Sequence, residues 1–407
     1  MTTNWAGNFT FSAARTAHPK SVDELRDVVR AAGSARVVGA GHSFSTIADT
    51  AGTLIDLDLM PEVFEVRDGS VRVGAGTRLA RLADRLHAAG LALPAMPSLP
   101  HITIIGACAT ATHGSGDDIP SLASLVRSLD LVTADGSLLT LGRGDDGFDG
   151  AVVALGSLGV VVAVELDVVP TFDVEQRVYV DMPFDALVDN VAAVFSSAYS
   201  VSAFPTWRGV ANVFTKRRTT DPLHDLTWTG ARPATEPVHP VPGQPTRHCT
   251  AQLGVPGPWH ERLPHFRADF TPSVGRELQS EYFVAREHAA DALTALNGLA
   301  DVITPVLLTS EVRTIAADAQ WLSPVHDRSS VAFHFTWQPD DAAVRAVLRK
   351  VEAALSPWRP RPHWGKVFEL ADPGERYPGW ARFAELRDRL DPDRTFRNPL
   401  VDGWFAR

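Results

Sequence analysis

Val37-Val-Gly-Ala-Gly-His-Ser-Phe-Ser45 decides how the first third of the chain is read. It continues a short apolar strand, Ala35 to Val38, and places two glycines and a histidine where that strand ends. Glycines at 39 and 41 let backbone N–H groups come close to an anion. A dinucleotide fingerprint would need a third glycine and a helix start, and neither is present. Taken alone, the pattern fits a plain tight turn equally well. Two further stretches shift the balance: Gly74-Ala-Gly76 and His113-Gly-Ser-Gly116. Three glycine-bearing loops in one region suit a long anionic cofactor held mainly by backbone.

Outside these loops, composition narrows the function classes. The 407 residues are 45% hydrophobic and 21% charged, an ordinary globular balance with ample core. At about 150 residues per domain, two or three domains are expected. The net charge of −10 argues against a general nucleic-acid binder, which needs a basic footprint. No uninterrupted apolar run reaches membrane-spanning length, and the N-terminus lacks a signal-peptide pattern. Two cysteines, Cys108 and Cys249, are too few for a disulfide framework. A soluble, cytoplasmic protein is expected, with no membrane or nucleic-acid partner and no metal.

Periodicity supplies the elements. Ser21 and Glu24 form a capping box that opens a helix ending near Gly33. Strands are expected at 53–57 and 71–73, a helix at 77–89, and a hairpin at 129–141 around Asp135-Gly136. Gly159 to Val169 reads as a long buried strand. After Pro170 the texture changes. Strands at 176–180 and 201–207 bracket a helix at 184–196. Residues 221–264 hold nine prolines and form an ordered excursion. Strands at 277–284, 306–315, 330–337 and 363–369 alternate with helices at 286–299 and 340–355, and a helix at 379–389 precedes the tail. The fold class is α+β. Three units are expected: 1–172, 173–372, and a C-terminal segment, 373–407, returning to the first.

Two strands carry an unusual polarity. Glu311 and Arg313 are two residues apart and share one face, with Val312 on the other. His334 and Thr336 likewise share a face, opposite Phe333, Phe335 and Trp337. Adjacent strands so patterned make a polar floor. A solvated sheet face with a surface ion pair is the more common outcome of such alternation. Lysine usage adds one more residue. Only Lys20, Lys216, Lys350 and Lys366 occur among 38 cationic residues. Wherever lysine appears, arginine was the easy alternative. Lys366 stands in the arginine-rich stretch His363-Trp-Gly-Lys366 and invites a specific role. The other three are expected at the surface.

VVGAGHSFS, the loop Met96-Pro-Ser-Leu-Pro-His101, Ile104 to Gly116 and Gly156 to Pro170 resemble the FAD domain of vanillyl-alcohol-oxidase-type flavoproteins. Within that group the chain resembles the alditol oxidases. The resemblance continues through Gly257 to Phe266, Glu277 to Tyr282, Glu311-Val-Arg313, Ala316 to Pro324 and His363 to Lys366, in the family's order. It implies a two-part FAD-binding domain of this type, followed by an α+β substrate (cap) domain with a mostly antiparallel sheet. It implies FAD held by Val38, Gly39, Ala40, Gly41, His42, Ser43, Ser98, Thr103, Gly106, Ala107, Cys108, Ala109, His113, Gly114, Gly159, Val160 and Lys366, with His42 joined covalently to the flavin. Substrate contacts fall to Ser98, Gln279, Glu311, Arg313, Thr336 and Lys366. Arg313, Lys366, Glu311 and His334 become the catalytic candidates. The implied reaction is oxidation of a polyol's terminal hydroxyl, with dioxygen as acceptor. A monomer is expected, since no heptad seam or long apolar stripe demands a partner. The alternatives are a lactone oxidase or dehydrogenase of the same fold, or a flavin- or carbohydrate-binding protein without turnover. Pro97 departs from the family pattern, which has a small alanine there. His260 and His265 superficially suggest a zinc motif. Their spacing of five and the intervening Pro264 exclude the helical pair such a motif needs.

Overall fold

A computed structural model describes residues 2–270 and 277–405. A three-stranded parallel sheet opens the chain, in the order Arg15–Ala17, Thr53–Asp56, Ala35–Val38. Ser21 accepts a hydrogen bond from Glu24 N (3.1 Å) and starts the helix Val22–Ala31. The Glu24 carboxylate reaches back to Lys20 N, one residue before the position an ideal capping box uses. A second, antiparallel sheet runs Phe64–Arg67, Ser70–Gly74, Val160–Asp167, Val126–Val132, Leu138–Gly142. Leu79–Ala88 buries Leu79, Leu82 and Leu86, the stripe its spacing predicts.

The largest sheet has nine antiparallel strands, all drawn from residues 173–362. Its central path is Asp173–Pro183, Val210–Arg218, Ser200–Pro205, Leu307–Ile315, Ser330–Trp337, Leu278–Ala285. One face packs on the helices Ala289–Asn297 and Asp341–Leu355, and Val312, Phe333, Phe335 and Trp337 belong to that core. The opposite face carries Gln279, Glu311, Arg313, His334 and Thr336 and lines a cavity. The alternation anticipated for these strands is therefore present, with the polar side turned to a cavity and not to bulk solvent.

The excursion at 221–264 contains only short turns and two-residue strands, which pair with the outer strand Asp173–Pro183. Two expected elements differ. The helix at 184–196 is interrupted at Asn190, whose side-chain amide donates to Ala186 O (2.9 Å) and competes with the helix backbone. The strand at 363–369 does not form. Pairing with Leu278–Ala285 is regular only over Arg361–Pro362. His363 N still reaches Glu281 O (2.9 Å), but Val367 N meets Gln279 O (2.8 Å), where unbroken register would place Gly365. The two surplus residues loop out as a turn, and Lys366 sits on it.

That turn docks on the glycine loop. Phe44 N donates to Gly365 O (2.7 Å), and Ser45 Oγ to Trp364 O (3.2 Å). Arg36, buried under the same loop, donates to Gly156 O (2.8 Å) and Phe396 O (3.1 Å). The tail is fixed by Asn398, whose amide reaches Thr46 O and Asp49 O. Among the described residues, no helix is long and apolar enough to cross a membrane.

Candidate active site

One cavity of about 940 Å³ runs from the glycine loop to the polar face of the large sheet. Its first half is built from backbone and small side chains. Gly41 adopts φ +69°, a conformation that favours glycine. A Cβ on Gly39 would stand 2.3 Å from Thr103 Oγ1, so with Thr103 in place glycine lets the two segments close on each other. His42 stacks on Trp5 with 4.6 Å between ring centroids and faces the cavity. Burial, helped by His101 and Arg78, lowers its pKa to about 4, so the imidazole is neutral at physiological pH.

Of the residues expected around a cofactor, Val38, Gly39, Ala40, Gly41, His42, Ser43, Ser98, Thr103, Gly106, Ala107, Ala109, His113, Gly159 and Lys366 line this cavity. Cys108, Gly114 and Val160 do not. Cys108 points into the core, its thiol 3.6 Å from Leu122 O, because in the short helix Ile104–Ala109 it lies one turn after Ile104 and shares that residue's buried face. Val160 packs with Leu25, Val29 and Val132. Pro97 also lines the cavity.

The second half is built from charge. Glu281 is fully buried and accepts from Arg313 Nη2 and Lys366 Nζ, both at 2.6 Å. Lys366 also donates to His334 Nδ1 (2.7 Å), which leaves His334 Nε2–H for Thr336 Oγ1 (3.2 Å). Glu311 Oε1 lies 2.8 Å from His265 Nε2, with Arg313 Nε 3.7 Å away. His363 Nδ1 accepts from Gly365 N (3.1 Å) and fixes the turn that carries Lys366. Two cations thus face two carboxylates. Burial alone would keep Glu281 protonated, but Lys366 and Arg313 outweigh it and hold its pKa well below the usual range. Glu311 is held low in the same way by Arg313 and His265. Burial, then Lys366, brings His334 down to about 4, so it is neutral.

All four catalytic candidates converge here, and Ser98, Gln279 and Thr336 line the same space. Three contributors were missed. Glu281 shares a face with Gln279 by the same period of two that paired Glu311 with Arg313, so its signal was present in the sequence. His265 comes from the excursion, and nothing in its local sequence announces it. Lys216 corrects the expectation of a surface lysine. It is 2% exposed, with Nζ against Leu263 O and His265 Nδ1. The rarity of lysine flagged it as clearly as Lys366. Lys20 and Lys350 are exposed. His260 instead packs against His87, away from His265's carboxylate partner, and belongs to no metal-ligating cluster among the described residues.

An FAD-sized group fits these residues. The glycine cradle excludes side chains where a ligand must approach. At the cavity wall His113 Nε2 and Arg313 Nε are buried and make no hydrogen bond, with Glu281 Oε1 3.4 Å from the first and Glu311 Oε1 3.7 Å from the second.

Comparisons with known proteins follow the same division. Residues 13–142 match a family described as FAD binding domain, and residues 272–406 match a family described as D-arabinono-1,4-lactone oxidase. An alditol oxidase from Streptomyces sp. is 51% identical over 98% of this chain and 99% of its own length. An L-gulono-1,4-lactone dehydrogenase from Mycobacterium tuberculosis is 31% identical, covering 97% of this chain and 96% of that protein. Among solved structures, a solvent-stable cholesterol oxidase superposes with a TM-score of 0.80 at 17% identity, covering 99% of this chain and 96% of that one. That likeness concerns the fold: an FAD-binding domain of the vanillyl-alcohol-oxidase type joined to a domain with a large antiparallel sheet.

Proposed function

The chain belongs to the alditol oxidase family of FAD-dependent oxidoreductases, and from that premise we propose that it oxidises the terminal primary hydroxyl of acyclic polyols such as xylitol and sorbitol to the aldose, with dioxygen reduced to hydrogen peroxide. The observation that carries this reading is the pair Arg313 and Lys366 held on one buried carboxylate, Glu281, at the cavity floor. With Glu311 the set balances to zero charge, which suits a neutral polyhydroxylated substrate.

FAD, when bound, supplies the hydride acceptor and the route to dioxygen. The residues do the rest. Arg313 and Lys366 donate to the reacting hydroxyl and stabilise negative charge as its proton leaves. Glu311 stands beside Arg313 and receives that proton. His334, neutral and fixed by Lys366 and Thr336, orients the ammonium group. Ser98, Gln279 and Thr336 contact the remaining hydroxyls. Lys366, on its docked turn, joins the floor to the glycine loop, where a compact cation offsets charge gained by the flavin on reduction. His42 is the point of covalent attachment. Its neutral, buried, cavity-facing imidazole supports this, since alkylation needs a free nitrogen lone pair. We divide the chain into a cofactor unit (1–172), a cap (173–372) and a returning tail (373–407), a reading that the sheet composition supports. Two buried, unpaired cysteines fit a reducing, cytoplasmic setting, and we read the protein as a monomer.

The test is anaerobic mixing of the holoprotein with xylitol. Bleaching of the visible flavin band, followed by peroxide on admitting air, is expected. No bleaching with any polyol overturns the reading. The match of residues 272–406 to a lactone oxidase family favours one second reading, oxidation of an aldono-1,4-lactone. Faster bleaching by gulono- or galactono-lactone than by xylitol would establish it. Yellow colour staying with the acid-denatured polypeptide checks the His42 linkage.

A further inference from the structure

Behind the cavity floor lies a buried chain of groups that the reaction so far leaves unused. Glu311 Oε1 is 2.8 Å from His265 Nε2, and His265 Nδ1 is 3.2 Å from Lys216 Nζ. Glu311 and His265 line the cavity, while Lys216 lies one residue deeper, on the strand Val210–Arg218. The rings of Phe204 and Phe214 meet His265 edge-on at 5.5 and 5.8 Å and hold its plane. The ionisable groups that act on Lys216 among the described residues come from two segments. From Leu307–Ile315 come Glu311 and Arg313, and from the segment preceding residue 271 come Cys249 and His265. Its cross-strand neighbours are the neutral Gln176 and Ser200.

We propose that Lys216 stores the proton released by alcohol oxidation, receiving it from Glu311 through His265. This rests on the oxidase reading above. The alcohol loses a hydride to the flavin and a proton from its hydroxyl. That proton forms the O–H bond of Glu311. Before the transfer His265 carries its one proton on Nδ1 and Nε2 is bare; Glu311 then gives the new proton to Nε2 as the imidazole passes its Nδ1 proton to the neutral amine of Lys216. The end state is a Glu311 carboxylate, His265 protonated on Nε2, and a Lys216 ammonium group. Dioxygen needs two electrons and two protons to become peroxide. Bound FAD would pass on both electrons and one proton, and the reverse relay from Lys216 through His265 and Glu311 would supply the other.

Relative basicity supports this direction. Burial, opposed by Glu311, lowers Lys216 to about 7, and burial with Lys216 nearby lowers His265 to about 4. Glu311 is held lower than an ordinary carboxylate. The amine is thus the strongest base of the three and the resting place of the proton, with the other two as carriers. Cys249 does not compete, because burial pushes its thiol up to about 11.

The experiment compares holoenzyme with Lys216→Met and Lys216→Arg. First, flavin is reduced anaerobically by xylitol in weak buffer with an indicator dye, about one to two pH units above 7. Wild type is expected to release almost no proton. Each variant is expected to release about one per flavin, the arginine included, because a guanidinium group cannot be deprotonated here. Equal release from all three overturns the proposal. Second, stability against denaturant is followed with pH. A lysine lowered in the folded state leaves the unfolded state holding more protons between about pH 7 and 10.4. Wild type is therefore expected to gain stability relative to Lys216→Met as pH rises through that window. A flat difference overturns the proposal without any substrate. If xylitol fails to bleach the flavin, the oxidase reading falls, and the stability curve still decides whether Lys216 exchanges a proton near neutrality.

Discussion

The two halves of the cavity solve different problems with different materials. The half around residues 38–43 and 103–109 is made of glycine, alanine and backbone, and its close fit depends on atoms that are absent: a Cβ on Gly39 has no room beside Thr103. The half around Glu281, Arg313, His334 and Lys366 is made of buried charges, and its integrity depends on each charge having its partner. A cofactor cradle of this kind fails by steric exclusion, a charged floor by imbalance. Changes in the first should therefore appear as loss of bound flavin with normal substrate handling. Changes in the second should spare flavin loading and alter the reaction.

Glu281→Gln probes the floor most severely. Amide for carboxylate keeps the volume and leaves Arg313 and Lys366 with Glu311 as the one remaining carboxylate facing them. Breaking a buried ion pair from one side costs about 3–5 kcal/mol. We expect kcat/KM for xylitol to fall by about 10²- to 10³-fold while the holoenzyme still binds flavin. Equal loss of flavin and activity would erase the distinction between the halves. The pH dependence has a definite sign. A carboxyl held low in the folded state stabilises above the unfolded value of about 4.3, and this contribution is lost as pH falls through the folded pKa. Wild type should lose more stability on acidification than Glu281→Gln.

The cradle offers the matching probe. Gly39→Ala sets a methyl group against Thr103 Oγ1, and the clash is with one side chain, not with backbone. Thr103→Ala should therefore restore in the double variant what Gly39→Ala removes. We expect the single variant to be isolated with about tenfold less covalently loaded flavin, and any holoenzyme that forms to turn over at nearly the normal rate. No recovery on adding Thr103→Ala would show that the backbone, and not this contact, sets the limit.

How far the sequence disclosed each half follows from the same contrast. Glycine spacing marks a cradle directly, since few residues can replace glycine at Gly41's positive φ, and the loops were legible before any fold was known. The floor was legible where strand alternation made it so, at Glu311, Arg313, His334 and Thr336. Glu281 obeyed that alternation too. The placement of Lys366 was not legible, because two looped-out residues replace the expected strand and only their docking on Phe44 and Ser45 fixes the turn. His265 arrives from a proline-rich excursion with no periodicity, so its approach to Glu311 is tertiary information alone. Lys216 was conspicuous by residue type, yet neither its burial nor its partner could be read from neighbouring residues.

Thr336→Val is the mildest probe and bears on the floor's outer edge. Valine matches threonine in shape and removes the hydroxyl that accepts from His334 Nε2 (3.2 Å). His334 Nδ1 still accepts from Lys366 (2.7 Å), so the ammonium group keeps its place on Glu281. The chemical step should then change little. What is lost is one hydrogen-bonding group lining the cavity and the partner of a buried imidazole N–H, a loss of about 1 kcal/mol. KM for xylitol should rise about fivefold, with kcat held within about twofold and flavin content unchanged. An equal fall in kcat would place Thr336 among the groups that act on the reacting hydroxyl, and the line between orienting the polyol and activating it would have to be drawn closer to Lys366.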